Sequence, residues 1–396
     1  MSGESAQARL TALVDGALSS RRIALDTEFM GEGRYRTLLC LIQLAIPEAT
    51  GGAERIILLD PLQEDLDASP LAAVLADPAV EVVVHAGRQD IALLRRYLRT
   101  EVRNVFDTQV AAGFAGLGAQ SSYESLLVEM LGLRVAKTAS FTRWDARPLS
   151  PEQLAYARED VVHLLELATE IQRRLSANGR LQWAREECEP LALASDERDP
   201  EAIFARLPRV ASLGANARPV ARALVRWREE VAARHNRPVQ SVLGDAALVE
   251  LAKRKPSSRA QLERIRGVSA AGGRRAEELL DVLRSSQDMP PDPPPARPRG
   301  PAPRPGDAPL IALCEALLRA RAREAGLAYE LLAARADLQA IVAGARTGAE
   351  ADVRTLRGWR RELAGAELLE LLDGSIALSV EGRGERRAVR VSRPDG

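Results

Sequence analysis

The chain has 396 residues, 46% of them hydrophobic, with 55 Lys/Arg balanced by 55 Asp/Glu, a composition that supports packed cores and excludes a disordered protein. No apolar run is long enough for a membrane span, and the N-terminus, MSGESAQARL, lacks the basic and apolar regions of a secretory signal, so a cytoplasmic protein is expected. Three widely spaced cysteines, Cys40, Cys188 and Cys314, and only three histidines argue for reduced thiols and against a Cys/His metal centre, leaving a hard cation on carboxylates as the metal chemistry open to the chain.

In chain order, IALDTEF, LLCLIQLA, RIILLD and VEVVVHA are short apolar runs bounded by charge or turn residues, which predicts strands. DPLQEDLDASPLAAVLADP and GRQDIALLRRYLRT have helical spacing. The connections between Arg36 and Asp60 are too short for crossover helices, so an antiparallel meander is expected there. Beyond Asp107 the pattern is mainly helical, and RPLSPEQLAYAREDVVHLLELA reads as one helix with Ser150 as N-cap, Pro151 at the first position and Gln153 completing a capping box. The chain thus divides into an α/β segment, 1–205, a helical segment, 206–288, a proline-rich linker, 289–309, a second helical segment, 310–376, and a charged tail, 377–396, with a short strand, SIALSV, expected across the last junction.

Charge is unevenly spread along these segments. Residues 1–205 hold 21 Lys/Arg and 31 Asp/Glu, net −10, whereas residues 206–286 hold 17 and 8, net +9. A basic module behind an acidic one points to a polyanion partner for the middle segment. Arginine abundance alone says little, because all but three of the basic residues are arginine.

Asp26 and Glu28 lie two apart on a strand, so their carboxylates share a face and repel. Asp90 falls in the first turn of a helix after VVVHAGRQ, and Tyr156 and Asp160 lie four apart on one helical face. Each feature alone is ordinary: a dipole partner, a surface pair, a turn signal. Together they place four acids and a tyrosine on strand, helix start and helix within one α/β segment. Converging carboxylates are stable when cations offset them, and oxygen donors suit Mg²⁺ or Mn²⁺. Two such ions ~4 Å apart serve phosphodiester cleavage.

ALDTEFM, VHAGRQDIALL and YAREDVVHLL resemble the three motifs of the DEDD superfamily of 3′→5′ exonucleases, in its tyrosine subgroup, and the resemblance is specifically to ribonuclease D. The histidine subgroup would place His where Ala155 stands. NVFDTQVAAGF and KTASFTRWDARPLSPEQLAYA extend the likeness, which spans roughly residues 20 to 190. VARALVRWREEVAARHNRPVQSVLGDAALVELAKRKPSSRAQLERIRGV resembles the helical, nucleic-acid-binding HRDC domain, and the stretch around Trp359 sits where a second HRDC-like domain would follow.

The resemblance implies a ribonuclease H-like mixed sheet with flanking helices, followed by two all-α domains. It implies that Asp26, Glu28, Asp90 and Asp160 hold two divalent cations, Mg²⁺ or Mn²⁺, and that Tyr156 orients the attacking water. The implied activity trims RNA with a free 3′ end, such as tRNA precursors, to 5′-monophosphates, with no obligate protein partner. Phe29, Met30, Lys137 and Arg228 are candidate substrate contacts, with Arg34, Arg36 and His85 as weaker ones, and His163 reads as packing. The competing readings are a DNA 3′→5′ exonuclease and a non-catalytic RNA-binding scaffold. The chain has no helicase P-loop, and it keeps all four acids and the tyrosine, which a dead scaffold need not.

Overall fold

The computed structural model describes residues 5–48, 54–63, 67–118, 120–135, 143–268, 273–286, 289–293, 304–382 and 388–393. α1 (Ala6–Ser20) starts where the Ser5 side chain accepts from the Ala8 amide, and it buries Leu10, Leu13, Val14 and Ala17 along one stripe. β1 (Arg22–Met30), β2 (Leu38–Ile46) and β3 (Arg55–Leu59) form the expected antiparallel meander. α2 (Ser69–Ala76), β4 (Glu81–Val84), α3 (Arg88–Leu98) and β5 (Val105–Asp107) follow, and β4 and β5 lie parallel to β1 in the order β3-β2-β1-β4-β5.

Both faces of the sheet are covered. Ile23, Leu25, Val82 and Val84 pack with α1, α2 and α3 on one side. On the other, Ala24, Ala45 and Val83 meet α4 (Thr108–Phe114), α7 (Leu164–Ala177) and α8 (Leu181–Cys188). Between α4 and α7 come the short α5 (Tyr123–Leu126) and α6 (Pro151–Glu159), and α6 keeps the Ser150–Gln153 capping box. The helix expected to run through Asp160 stops there: Asp160 caps α6, a turn spans 160–163, and α7 starts anew. Buried positions at Ala157, Val161, Leu164, Leu165 and Ala168 keep helical spacing across the turn, which is why the break escapes a pattern reading.

α9 (Pro200–Ala205), α10 (Arg218–His235), α11 (Val239–Val242), α12 (Asp245–Arg254), α13 (Arg259–Leu262) and α14 (Gly273–Ser285) enclose a core of their own around Leu224, Val231, Leu248, Leu251 and Leu279. The linker begins clamped to this unit, with Asp292 bridging Arg218 at 3.1 Å and Arg222 at 2.9 Å. α15 (Ala308–Ala325), α16 (Tyr329–Leu332), α17 (Arg335–Ala345), α18 (Gly358–Arg360) and α19 (Ala366–Asp373) form the last helical set. Its core is continuous with that of the α/β segment: Trp359 stacks on Trp183 at 5.0 Å and meets Phe114 edge-on at 5.3 Å. The tail is not merely charged. β6 (Ala377–Glu381) pairs with β7 (Ala388–Ser392), whose alternating AVRVS is a strand pattern.

Candidate active site

β1 pairs with β4 only from Arg22 to Ala24, so its second half runs past the end of β4. Asp26 and Glu28 occupy this overhang on the face turned toward α6 and α7. One carboxylate oxygen each from Asp26, Glu28 and Asp160 lies within 4.8 Å of the others, and no other acid or histidine cluster of this kind occurs among the described residues. Asp160 is delivered by the end of α6, one turn beyond Tyr156, whose hydroxyl hydrogen-bonds its carboxylate.

Asp90 enters from the opposite side. Thr27, between the two acids of β1, points to the other face and donates to the Asp90 carboxylate, which is 7% exposed. Asp90 therefore lies outside the close trio, yet among the charges acting on Asp26 it is the foremost.

The position of Asp90 depends on a carboxylate that the sequence reading passed over. Asp107 ends β5, is 1% exposed, and accepts from the amides of Ala86 at 3.1 Å, Gly87 at 2.9 Å and Gln109 at 2.8 Å. It thereby ties the turn before α3 to the start of α4. A Cβ on Gly87 would sit 2.5 Å from Val84 Cβ, so only glycine fits this turn. The signal was available: an acid directly after the apolar Val105-Phe106, followed by Thr108, inside the stretch that carries the resemblance. His85 is fixed beside it, with Nδ1 3.0 Å from Thr108 Oγ1 and its ring 5.7 Å from Tyr123, so it serves the scaffold. His163 lies at the start of α7, 3.4 Å from Glu166.

The electrostatics of the trio are those of uncompensated negative charge. Burial first, then Asp90, Asp160 and Glu28, hold Asp26 well above the carboxylate range. Glu28 is pushed up to about 8 by burial and then by Asp160 and Asp90. Asp160 rises to about 7 through burial and then Glu124 and Glu159, a rise opposed by the Tyr156 hydrogen bond. The Tyr156 phenol is raised as well, by burial and then Asp160, Glu28 and Asp26, so it stays a protonated donor. The donor set is oxygen only, and carboxylate oxygens around a six-coordinate Mg²⁺ lie about 3–4 Å apart, so a small contraction of the trio fits a divalent cation. Such a cation supplies the charge that lets neighbouring acids ionise together in a buried place.

Against known proteins, residues 4–176 match the 3′-5′ exonuclease family model and residues 217–283 match the HRDC domain model. A curated relative from Acidiphilium cryptum, ribonuclease D, is 38% identical over 94% of this chain and 93% of its own length. The chain belongs to the ribonuclease D family. A second relative, ribonuclease D of Gluconacetobacter diazotrophicus, is 36% identical over 96% of this chain and 94% of its own. The crystal structure of Escherichia coli RNase D, described as an exoribonuclease involved in structured RNA processing, superposes with a TM-score of 0.76 at 27% identity, covering 92% of this chain and 96% of that one.

The candidate substrate contacts of this family member separate sharply. Met30 follows Asp26 and Glu28 on the same face and joins Leu41, Trp144, Ala157 and Tyr156 in an apolar cluster beside the acids. Phe29 points the other way and is 37% exposed. Arg34 is half-buried, 3.5 Å from Asp145, and Arg36 is exposed. Lys137 lies outside the described residues. Arg228 is not an RNA contact: it is 2% exposed and spends its guanidinium on the Leu243 carbonyl and the Asp245 carboxylate. It looked like a phosphate ligand because the arginine of a basic helix and the arginine of a helix core share one letter. A residue the sequence reading missed, Arg147, clasps Asp60 with two hydrogen bonds of 2.6 Å and also reaches the Cys40 and Trp144 carbonyls. It fixes Trp144 against Tyr156, ring centres 6.1 Å apart.

Proposed function

We propose that the chain carries out the 3′→5′ exoribonuclease reaction of its family at the Asp26–Glu28–Asp160 trio, using two divalent cations, Mg²⁺ or Mn²⁺. The enzyme is a hydrolase that removes nucleotides from RNA 3′ ends. The observation that carries the reading is the meeting of three carboxylates from β1 and α6 within 4.8 Å, with the Tyr156 phenol hydrogen-bonded to one of them.

Asp26, Glu28 and Asp160 would hold one cation, with Asp26 shared and Asp90 placed toward the second. Bound there, the cations activate water and stabilise the leaving alkoxide. The protein's own residues do the rest. Tyr156, kept protonated, is placed to orient the attacking water by a hydrogen bond. Met30, half-buried beside the acids and backed by the buried Trp144, offers an apolar surface against which the terminal base can rest. The natural substrates on this reading are structured RNAs with a free 3′ end, tRNA precursors among them. The described activity of the Escherichia coli relative and the basic charge of the HRDC segment support this.

The test is hydrolysis of 3′-labelled RNA and DNA oligomers in Mg²⁺ or in EDTA, for wild type and Asp26→Asn. Wild type should shorten RNA stepwise only with the metal. The Asn variant should lose about 10³-fold or more, since it takes charge from the ligand facing both cations. Near wild-type turnover by Asp26→Asn would overturn the two-metal reading, preference for DNA would overturn the substrate, and inactivity of the wild type would favour a scaffold.

A further inference from the structure

β2, LLCLIQLAI, buries every residue except Leu38, and its one polar side chain is Gln43. Gln43 is 0% exposed, and neither its Nε2 nor its Oε1 has a hydrogen-bond partner among the described residues. The other buried polar residues of the α/β segment each have a partner: Thr27 and Asp90 each other, Asp107 four amides, Thr108 the Val84 carbonyl, Gln153 the Ser150 amide; the remaining idle buried atoms, on Glu54, Arg95, Arg96 and Asp196, belong to half-buried residues. A buried amide with both ends idle forfeits its hydration with nothing in return, and leucine or methionine would fill the same space without that loss. The sheet register says what the amide is there for. Gln43 is the cross-strand partner of Asp26, on the same face of the sheet, where directly opposed Cβ atoms stand about 5 Å apart.

We propose that Gln43 is a positioning residue for Asp26: its amide donates, through one buried water, to the Asp26 carboxylate and holds it in the orientation that receives the divalent cation. The two amide ends and the carboxylate supply the three polar partners a buried water needs. Metal-ligating carboxylates are commonly themselves hydrogen-bonded, and loss of such an outer partner weakens metal binding 10–100-fold. The inference rests on the reading of the acidic trio as a cation site, and the test keeps the two apart.

Gln43→Met keeps the length and volume of the side chain and removes the amide; Gln43→Leu is the second variant. Three quantities are measured on the full chain: the metal-free melting temperature, Mn²⁺ affinity by calorimetry, and kcat and KM on a short RNA at limiting Mn²⁺. The expected result is an unchanged or raised metal-free melting temperature, since an idle amide is gone, with Mn²⁺ affinity 10–100-fold weaker and KM for RNA unaltered. Mn²⁺ affinity within about twofold of wild type in either folded variant would overturn the role of Gln43 while leaving the cation site standing. A fall in metal-free melting temperature that accompanies the affinity loss in both variants would reduce Gln43 to a packing residue. Absence of Mn²⁺ binding by the wild type would overturn the cation site itself.

Discussion

The two helical regions behind the exonuclease share a run of helix lengths and differ in how they meet it. In the HRDC domain an 18-residue helix, a 4-residue helix and a 10-residue helix follow one another (α10, α11, α12); in the C-terminal set the lengths are 18, 4 and 11 (α15, α16, α17). Both long helices end on a left-handed residue, Asn236 and Gly326. The HRDC domain is net +9 over residues 206–286, keeps its own core, and meets the exonuclease through Tyr35 and a 2.6 Å bridge from Arg198 to Glu229. Residues 310–376 hold 9 Lys/Arg and 10 Asp/Glu, net −1, and share a core with the exonuclease. Around Trp359 are gathered Phe114, Trp183 and a 2.6 Å bridge from Arg360 to Glu187. With a similar run of helix lengths, the HRDC region carries its positive charge over a core of its own, as an arm, whereas the C-terminal set packs into the exonuclease core, as a brace; what differs is which faces carry charge and which carry apolar groups.

The largest effect expected from this contrast is at the brace. Trp359→Ala opens a hole in the shared core and should cost about 3–5 kcal/mol, lowering the unfolding midpoint of the exonuclease and the C-terminal set together. Denaturant unfolding followed by tryptophan fluorescence checks this; a loss below about 1 kcal/mol would mean that the C-terminal set is only leaning on the exonuclease. By the same argument, a chain ending near Leu207 removes the arm and the brace at once, so it is the wrong experiment for isolating the arm.

Next in size is Arg228. Arg228→Met leaves Asp245, 30% exposed, with the Gln240 amide but without its cation and should cost about 2–3 kcal/mol, confined to the HRDC unit. Once folded, the variant should bind RNA with the wild-type salt dependence. A changed salt slope would return Arg228 to the list of phosphate contacts and break the division between core and binding arginines.

A pH titration of stability distinguishes the two regions again, because only one of them shares a core with the acidic trio. Glu28 and Asp160 move from ordinary values of 4.5 and 3.8 to about 8 and about 7 in the fold, chiefly through burial. Between about pH 3.8 and 8 the metal-free folded state therefore holds more protons than the unfolded one. Stability is complete below that window, declines as pH rises through it, by up to about 1.4 kcal/mol per pH unit for each proton, and levels above it. Saturating Mg²⁺ should flatten the decline, because the cation binds the ionised carboxylates. The HRDC transition, which holds none of these groups, should not follow. A decline unaffected by Mg²⁺ would place its origin elsewhere.

What the sequence makes legible follows from how each feature is encoded. Asp26 with Glu28, and Tyr156 with Asp160, are local pairs: the period of a strand and of a helix places them without any tertiary knowledge. Asp90 follows from a strand end and a helix start. Asp107 and Arg147 act across 20 to 107 residues of sequence, by hydrogen bonds to backbone that no spacing rule announces. Gln43 becomes meaningful only through the strand register that sets it opposite Asp26. The C-terminal set has a helical pattern but no expected neighbour; its docking rests on contacts of Trp359 with Trp183 and Phe114, aromatics of the exonuclease far away in sequence.

The smallest effect, and the one that most directly tests the arm, concerns surface charge. Arg264 and Arg266 are exposed in the stretch between α13 and α14 of the HRDC domain, and they contribute to its positive excess without lying in its core. Neutralising a phosphate releases condensed counterions, which lowers log affinity against log salt by about 0.7 per contact on single strands. The double variant Arg264→Gln with Arg266→Gln should therefore bind structured RNA with a slope shallower by about 1.4 if both reach phosphate. Its KM should rise several-fold while kcat holds, because the Asp26–Glu28–Asp160 trio and Tyr156 are untouched. Gln is chosen over Glu so that no repulsion is added to the loss. A matching change of two exposed arginines in the brace, Arg323 and Arg335, should leave the slope where it was, since that region is net −1 and its placement is fixed by apolar contacts. If the two pairs shift the slope equally, the basic excess of residues 206–286 is spread over the whole molecule's field, and the contrast between arm and brace is one of docking alone.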